Sequence, residues 1–172
     1  MKSFLAIVSV LVMTGVVVGV VAIAADTASV TATVTARNVS VSVTDGSVLY
    51  GNLTVGGTNS TTSDGIDDTQ QATNDGNVSA TLNIIGTDSG DWTLESAAGA
   101  DQYTHAFCNT DTCDATPTWT LMQEVAYTTM SSTTVATSTG YQNVDLRINL
   151  PSSSSVYTEQ TVSVTVQAVS SY

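Results

Sequence analysis

The sequence predicts an all-β protein, a jelly-roll-like β-sandwich preceded by a cleavable N-terminal apolar segment. Three observations carry this. After Asp26, apolar residues alternate with Ser and Thr at a period of two, the pattern of strands with one buried face. No stretch beyond that point shows the apolar stripe of an amphipathic helix. Of the 172 residues, 30 are Thr and 24 are Val, β-branched types that favour pleated strands, and a further 21 are Ser.

The elements follow in order. Met1-Lys2-Ser3 is a short basic start and Phe4 to Ala24 an uncharged apolar run ending in Ala22-Ile23-Ala24-Ala25-Asp26. Small residues there suit cleavage after Ala24 or Ala25, which makes residues 1–25 a signal peptide. The same run is long enough to span a bilayer, so a retained membrane or pilin-type helix is the alternative. Pilins, however, are cut before the helix, after a basic residue and a Gly or Ala, whereas here Lys2 is followed by Ser3 and Phe4. A cleaved chain meets a membrane only through its precursor.

From Ala28 to Ala36 every even position is apolar and every odd one polar. After Arg37-Asn38 the phase flips, with Val39, Val41 and Val43 apolar. A strand cannot change phase without turning its faces over, so residues 26–37 read as an extension and 38–172 as the sandwich domain. Asp45-Gly46 is a turn signal, Ser47 to Val55 a strand interrupted by Gly51, and Thr58 to Asn77 a long polar loop. Strands then follow at Val78–Ile84, from Trp92, over Tyr103–Phe107, from Trp119, within Glu124–Ser138, at Val144–Leu150 and at Val162–Ala168. This spacing is that of a sandwich. The lack of a Cys…Trp…Cys framework favours a jelly roll over an immunoglobulin-like arrangement.

Composition removes whole classes of function. Fifteen acidic against three basic residues give a net charge of −12. So few cations cannot neutralise a phosphate backbone, so nucleic acid is not a partner. With one His and two Cys, and with Glu95, Glu124 and Glu159 far apart, no catalytic constellation forms and the chain does not read as an enzyme.

Several residues carry local chemistry. Cys108 and Cys113 read as a local disulfide of an exported chain; a zinc site with His105 would want a fourth ligand. Asp64, Asp67 and Asp68, with Asp75 nearby, could hold Ca²⁺, the one cofactor the sequence offers a place for; otherwise they form a solvated acidic loop. Sequons occur at Asn38, Asn52, Asn59 and Asn77, with Asn59 favoured because it falls in the long polar loop and Asn38 and Asn52 poorer because they fall in strands. Trp92, Trp119, Tyr103 and Phe107 read as core anchors, with a sugar-binding face as the alternative. His105 reads as a partly buried structural residue.

The segment with Ala28, Val30, Ala32, Val34 and Ala36 on one face is uncharged and nothing tethers it upstream after cleavage. It is strand A of its own sandwich, or a flexible leader, or a donor strand that completes the sheet of a neighbouring copy. Head-to-tail exchange of the last kind does not close and gives a fibre.

Over about residues 26–85 the layout resembles the camelysin/TasA biofilm-fibre family and the similar bundling pili of archaea. The matching pieces are Ala32–Ala36 running into Val39–Val43, then Asp45-Gly46-Ser47, then Tyr50-Gly51-Asn52-Leu53-Thr54-Val55-Gly56, and Thr73-Asn74-Asp75-Gly76-Asn77 leading into Val78–Ile84. Gly56-Gly57-Thr58 stands where that family has Pro-Gly-Asp. The resemblance implies a jelly-roll body, a filament-forming surface or matrix role and no enzymatic activity. The expectation is therefore a secreted structural subunit that polymerises with identical copies into an extracellular filament, pilus or surface coat. The rivals are a pilin-like subunit with a retained helix and a monomeric module that binds carbohydrate or surface glycans.

Overall fold

Alternating Val, Ile, Leu and Ala build two sheets that face each other across one core. A computed structural model describes residues 27–109, 113–130 and 134–171. The first sheet contains β1 (Val41–Thr44), β2 (Thr58–Ser60), β3 (Gln70–Asn74), β5 (Thr93–Leu94), β6 (Gln102–Cys108), β7 (Thr120–Leu121) and β9 (Tyr141–Asn149). Its main path runs β1-β3-β9-β6-β5, with β2 also on β9 and β7 also on β6. The second sheet has the order β10-β4-β8, from β10 (Val164–Ser170), β4 (Ala80–Gly86) and β8 (Thr128–Thr129). No helix occurs among the described residues. The molecule is the all-β sandwich that the periodicity predicts.

Register places the core. Phe107 pairs with Leu146 and His105 with Ile148, so the odd positions of β6 share a face with the even positions of β9. That face meets Leu82 and Ile84 of β4, both fully buried. Ala72, Phe107, Met122, Met130, Val135, Val144 and Leu146 complete the main cluster, and Leu94, Tyr103 and Ile148 form a smaller one.

Much of the interior is polar and satisfied. Asn74, fully buried, donates through Nδ2 to the carbonyls of Val78, Val135 and Ala136 and accepts from the Gly76 amide. One side chain thereby joins the end of β3 to the approaches of β4 and β9. Gly76 is needed beside it because a Cβ there would lie 2.5 Å from the Asn38 carbonyl oxygen. On the outer face, the buried Asp145 accepts from the Thr61 and Thr69 hydroxyls at 2.9 and 2.7 Å, which ties the β2–β3 loop to the central strand.

Three sequence expectations are corrected. Ser47–Val55 forms no strand: Gly46, Gly51 and Gly56 all take positive φ, near 70–76°, and break the ladder at its ends and middle. The supposed polar loop Thr58–Asn77 holds β2 and β3, whose inward positions include Gln70 and Asn74 and so carry no apolar alternation. Val78 stands outside β4, which begins at Ala80.

The chain divides into two compact units, Met1–Thr35 and Ala36–Tyr172. Ala24 and Ala25, with the rest of the apolar run, lie outside the described residues. Within the first unit, residues 27–35 contain no strand, and Val30 and Val34 are 93 % and 96 % exposed.

Replacing Asn74 by Ala should cost about 2–4 kcal/mol, since it removes a fully buried side chain together with its three donated bonds and one accepted bond; equilibrium denaturation of the variant against wild type measures it.

Candidate functional site

The sandwich is not filled along one side. A cleft of about 870 Å³ enters between the sheets, floored by Ile84, Val144, Leu146 and Ile148. That volume is far above the small voids of a close-packed interior. Its two long walls are the segment from Gly46 to Val55, here called the strap, and the segment from Ser154 to Val166, which runs into β10.

Side chains rather than ladders hold both walls. In the strap, Gly46 N donates to Gln70 Oε1 at 3.1 Å and Gln70 Nε2 donates back to the Ser47 carbonyl. The Tyr50 carbonyl accepts from Asn59 Nδ2 at 3.0 Å, and Gly56 N reaches the Pro151 carbonyl at 2.8 Å. At the strap's centre the Tyr50 hydroxyl meets His105 Nε2 at 2.8 Å, with the two rings edge to face. In the other wall, Asp101 accepts from Ser155 N, Ser155 Oγ and Ser154 Oγ, and these bonds hold its carboxyl below the usual range. Trp92 Nε1 donates to Ser154 Oγ, and Gln160 exchanges bonds with Ser89 and Asp91.

The backbone of these walls is correspondingly open. No amide N–H from Ser47 to Val55, nor from Tyr157 to Val162, donates to another protein group among the described residues. Beyond Val162, β10 is an edge strand paired only with β4. On the lips of the cleft, Leu49 and Tyr157 are 82 % and 81 % exposed, and Val55 is partly so. Glu159 is the one charged residue lining the cleft.

His105 sits behind the strap, essentially sealed from solvent. Burial pushes its imidazole down to about 4, and its Nδ1 is buried without a partner. Burial likewise raises the Tyr50 hydroxyl, ahead of a smaller contribution from Asp68, so Tyr50 stays neutral.

The remaining sequence candidates fall elsewhere. Cys108, at the end of β6, is disulfide-bonded to Cys113. Asp64, Asp67 and Asp68 are not gathered into a cation site; no group of three or more His, Cys, Asp or Glu that could hold a metal occurs among the described residues. The turn that carries them is closed by backbone bonds from Gly65, Ile66 and Asp68, and the Asp68 carboxylate accepts from Gln70. Asn59 lies in β2 with its amide committed to Tyr50, whereas Asn52 is exposed on the strap with no side-chain hydrogen bond among the described residues, which reverses the order read from sequence. Asn77 is committed to Ala36 and Asn38, and Asn38 is exposed just before β1. Trp92, half-buried, packs on the smaller cluster, and Trp119 is covered by the Arg147 guanidinium 4.8 Å from its ring. Burial lowers the Arg147 pKa, and its Nε is buried without a partner. Periodicity could not reveal the cleft, because its walls lie in segments that form no ladder; the glycines recurring every five residues were the one visible signal.

No family model, curated protein or solved structure matches the chain.

Because His105 binds protons less readily folded than unfolded, stability should be fullest above pH 6.5. It should fall by roughly 3 kcal/mol as pH drops from 6.5 to about 4, where the folded group also protonates. Denaturant titrations across that window should show a clearly shallower fall for His105→Gln than for wild type.

Proposed function

We propose that the protein is a secreted structural subunit that polymerises into an extracellular filament, pilus or coat by inserting Ala28–Ala36 of one copy into the cleft of the next. One observation carries this reading. The cleft is walled on both sides by backbone without ladder partners, while the chain itself holds an uncharged, alternating segment that is in no strand. Such walls are templates for strand addition, with main-chain bonds supplying affinity and alternate side chains the register. Val30 and Val34 are the pegs, and Ala28, Ala32 and Ala36 keep that face slim. Leu49, Val55 and Tyr157, exposed residues lining the cleft, would close over the inserted strand.

Charge fits as well. Subunits bearing −12 repel one another, and a contact made through an uncharged segment and a nearly uncharged cleft keeps the joint clear of that repulsion. The disulfide is compatible with an extracellular setting, and no helix long and apolar enough to cross a membrane occurs among the described residues. A monomeric glycan-binding module would want a free tryptophan platform. Trp92 is instead tied to Ser154 and Trp119 lies under Arg147.

Deleting residues 26–37 should abolish filaments in negative-stain electron microscopy while leaving the β circular-dichroism signal intact; filaments from the deletion variant would end the proposal. Leu49→Ser and Tyr157→Ser should leave unfolding unchanged but raise the critical concentration for assembly about tenfold each, as expected for losing a large apolar contact.

A further inference from the structure

The candidate donor segment has no slack where it leaves the body. Its alternation ends at Ala36, and the second compact unit begins at the same residue. From there the chain is pinned by one side chain. Asn77 Nδ2 donates to the Ala36 carbonyl at 2.7 Å, and Asn77 Oδ1 accepts from the Asn38 amide at 2.7 Å. The Asn77 amide returns a bond to the Asn38 carbonyl at 3.0 Å, and Asp75 N donates to the Ser40 carbonyl. Arg37, between these anchors, donates to Ser170 Oγ at the end of β10. Gly76 permits the approach, since any Cβ there would strike the Asn38 carbonyl.

Resting on the donor-strand reading, we propose that Asn77 is the joint of the filament, the positioning residue that fixes the exit of the strand, so that the face around Ala36–Ser40 and Asp75–Asn77 seats directly against a second copy at the mouth of its cleft. Each residue of chain spans at most about 3.6 Å, so a strand that begins at its own root cannot leave a gap between bodies. A flexible linker of several residues would let neighbouring bodies swivel; here none intervenes. The exposed residues on this face are Ala36, Arg37, Asn38, Val39, Asp75 and Asn77, mainly polar and carrying one guanidinium and one carboxylate. The partner surface is therefore a mainly polar rim of the same protein.

Two variants of the full chain test this: Asn77→Ala, and a four-residue Gly-Ser insertion between Thr35 and Ala36. Both should still form filaments, because both leave residues 28–35, with the pegs Val30 and Val34, and the cleft itself unaltered. Persistence length measured on electron micrographs should fall several-fold, most in the insertion variant. Filaments of both variants as straight as wild type would overturn the joint. Amide exchange on the unassembled protein gives a readout independent of assembly: Asn38 N–H should exchange about fivefold faster in Asn77→Ala. Equal exchange in the two proteins would overturn the clamp. Pinned Asn38 in a wild-type protein that forms no filaments would instead fault the donor-strand reading.

Discussion

Everything in this fold answers to the demand that backbone N–H and C=O groups find partners. The central strand β9 meets it most completely, with β3 and β2 along one edge and β6 along part of the other. Among the described residues the N–H half of that demand goes unmet in two segments, Ser47–Val55 and Tyr157–Val162, and both face one cleft. Water can serve these groups in the isolated subunit. A strand laid between them would serve them better, because it would also cover the apolar floor formed by β4 and β9. On the proposed reading the cleft is the place of a missing strand.

The fold class was legible because period two survives wherever a strand has one wet face, as in Ala80–Gly86 and Val164–Ser170. It failed at β3, where Gln70 and Asn74 point inward and are buried by hydrogen bonding rather than by apolarity. It failed in the opposite sense at Ser47–Val55, where Val48, Tyr50 and Leu53 do pack inward but three left-handed glycines deny them a ladder. Local pattern reports which side chains are buried; it does not report which backbone is paired. The cleft depends on the second property, so the sequence signalled it only through the glycines at 46, 51 and 56. The candidate donor segment was visible for the converse reason, since its alternation has no glycine or polar inward residue to disguise it.

Buried polar side chains take the part that large apolar ones take in other sandwiches. Asn74, Thr61 and Asp145 each bind elements distant in sequence, and all are nearly or fully removed from water. The apolar core itself is small, and several of its members are Ala. A core of this kind depends on geometry, because each such group is costly to leave unsatisfied. His105 is the extreme instance, held neutral behind the strap with one nitrogen left without a partner.

The ladder between β4 and β10 joins Ala80 to Ser170 and Gly86 to Val164. Most of the second sheet's pairing therefore joins strands far apart in sequence, with only β8 pairing β4 from nearer by. Leu82 and Ile84 gain their long partner strand only when the wide loop between β4 and β10 has closed. Contacts so distant in sequence close slowly, because the intervening loop must first be ordered. The second sheet consequently cannot form from any short stretch of the chain, and β4 keeps one edge open until that loop closes.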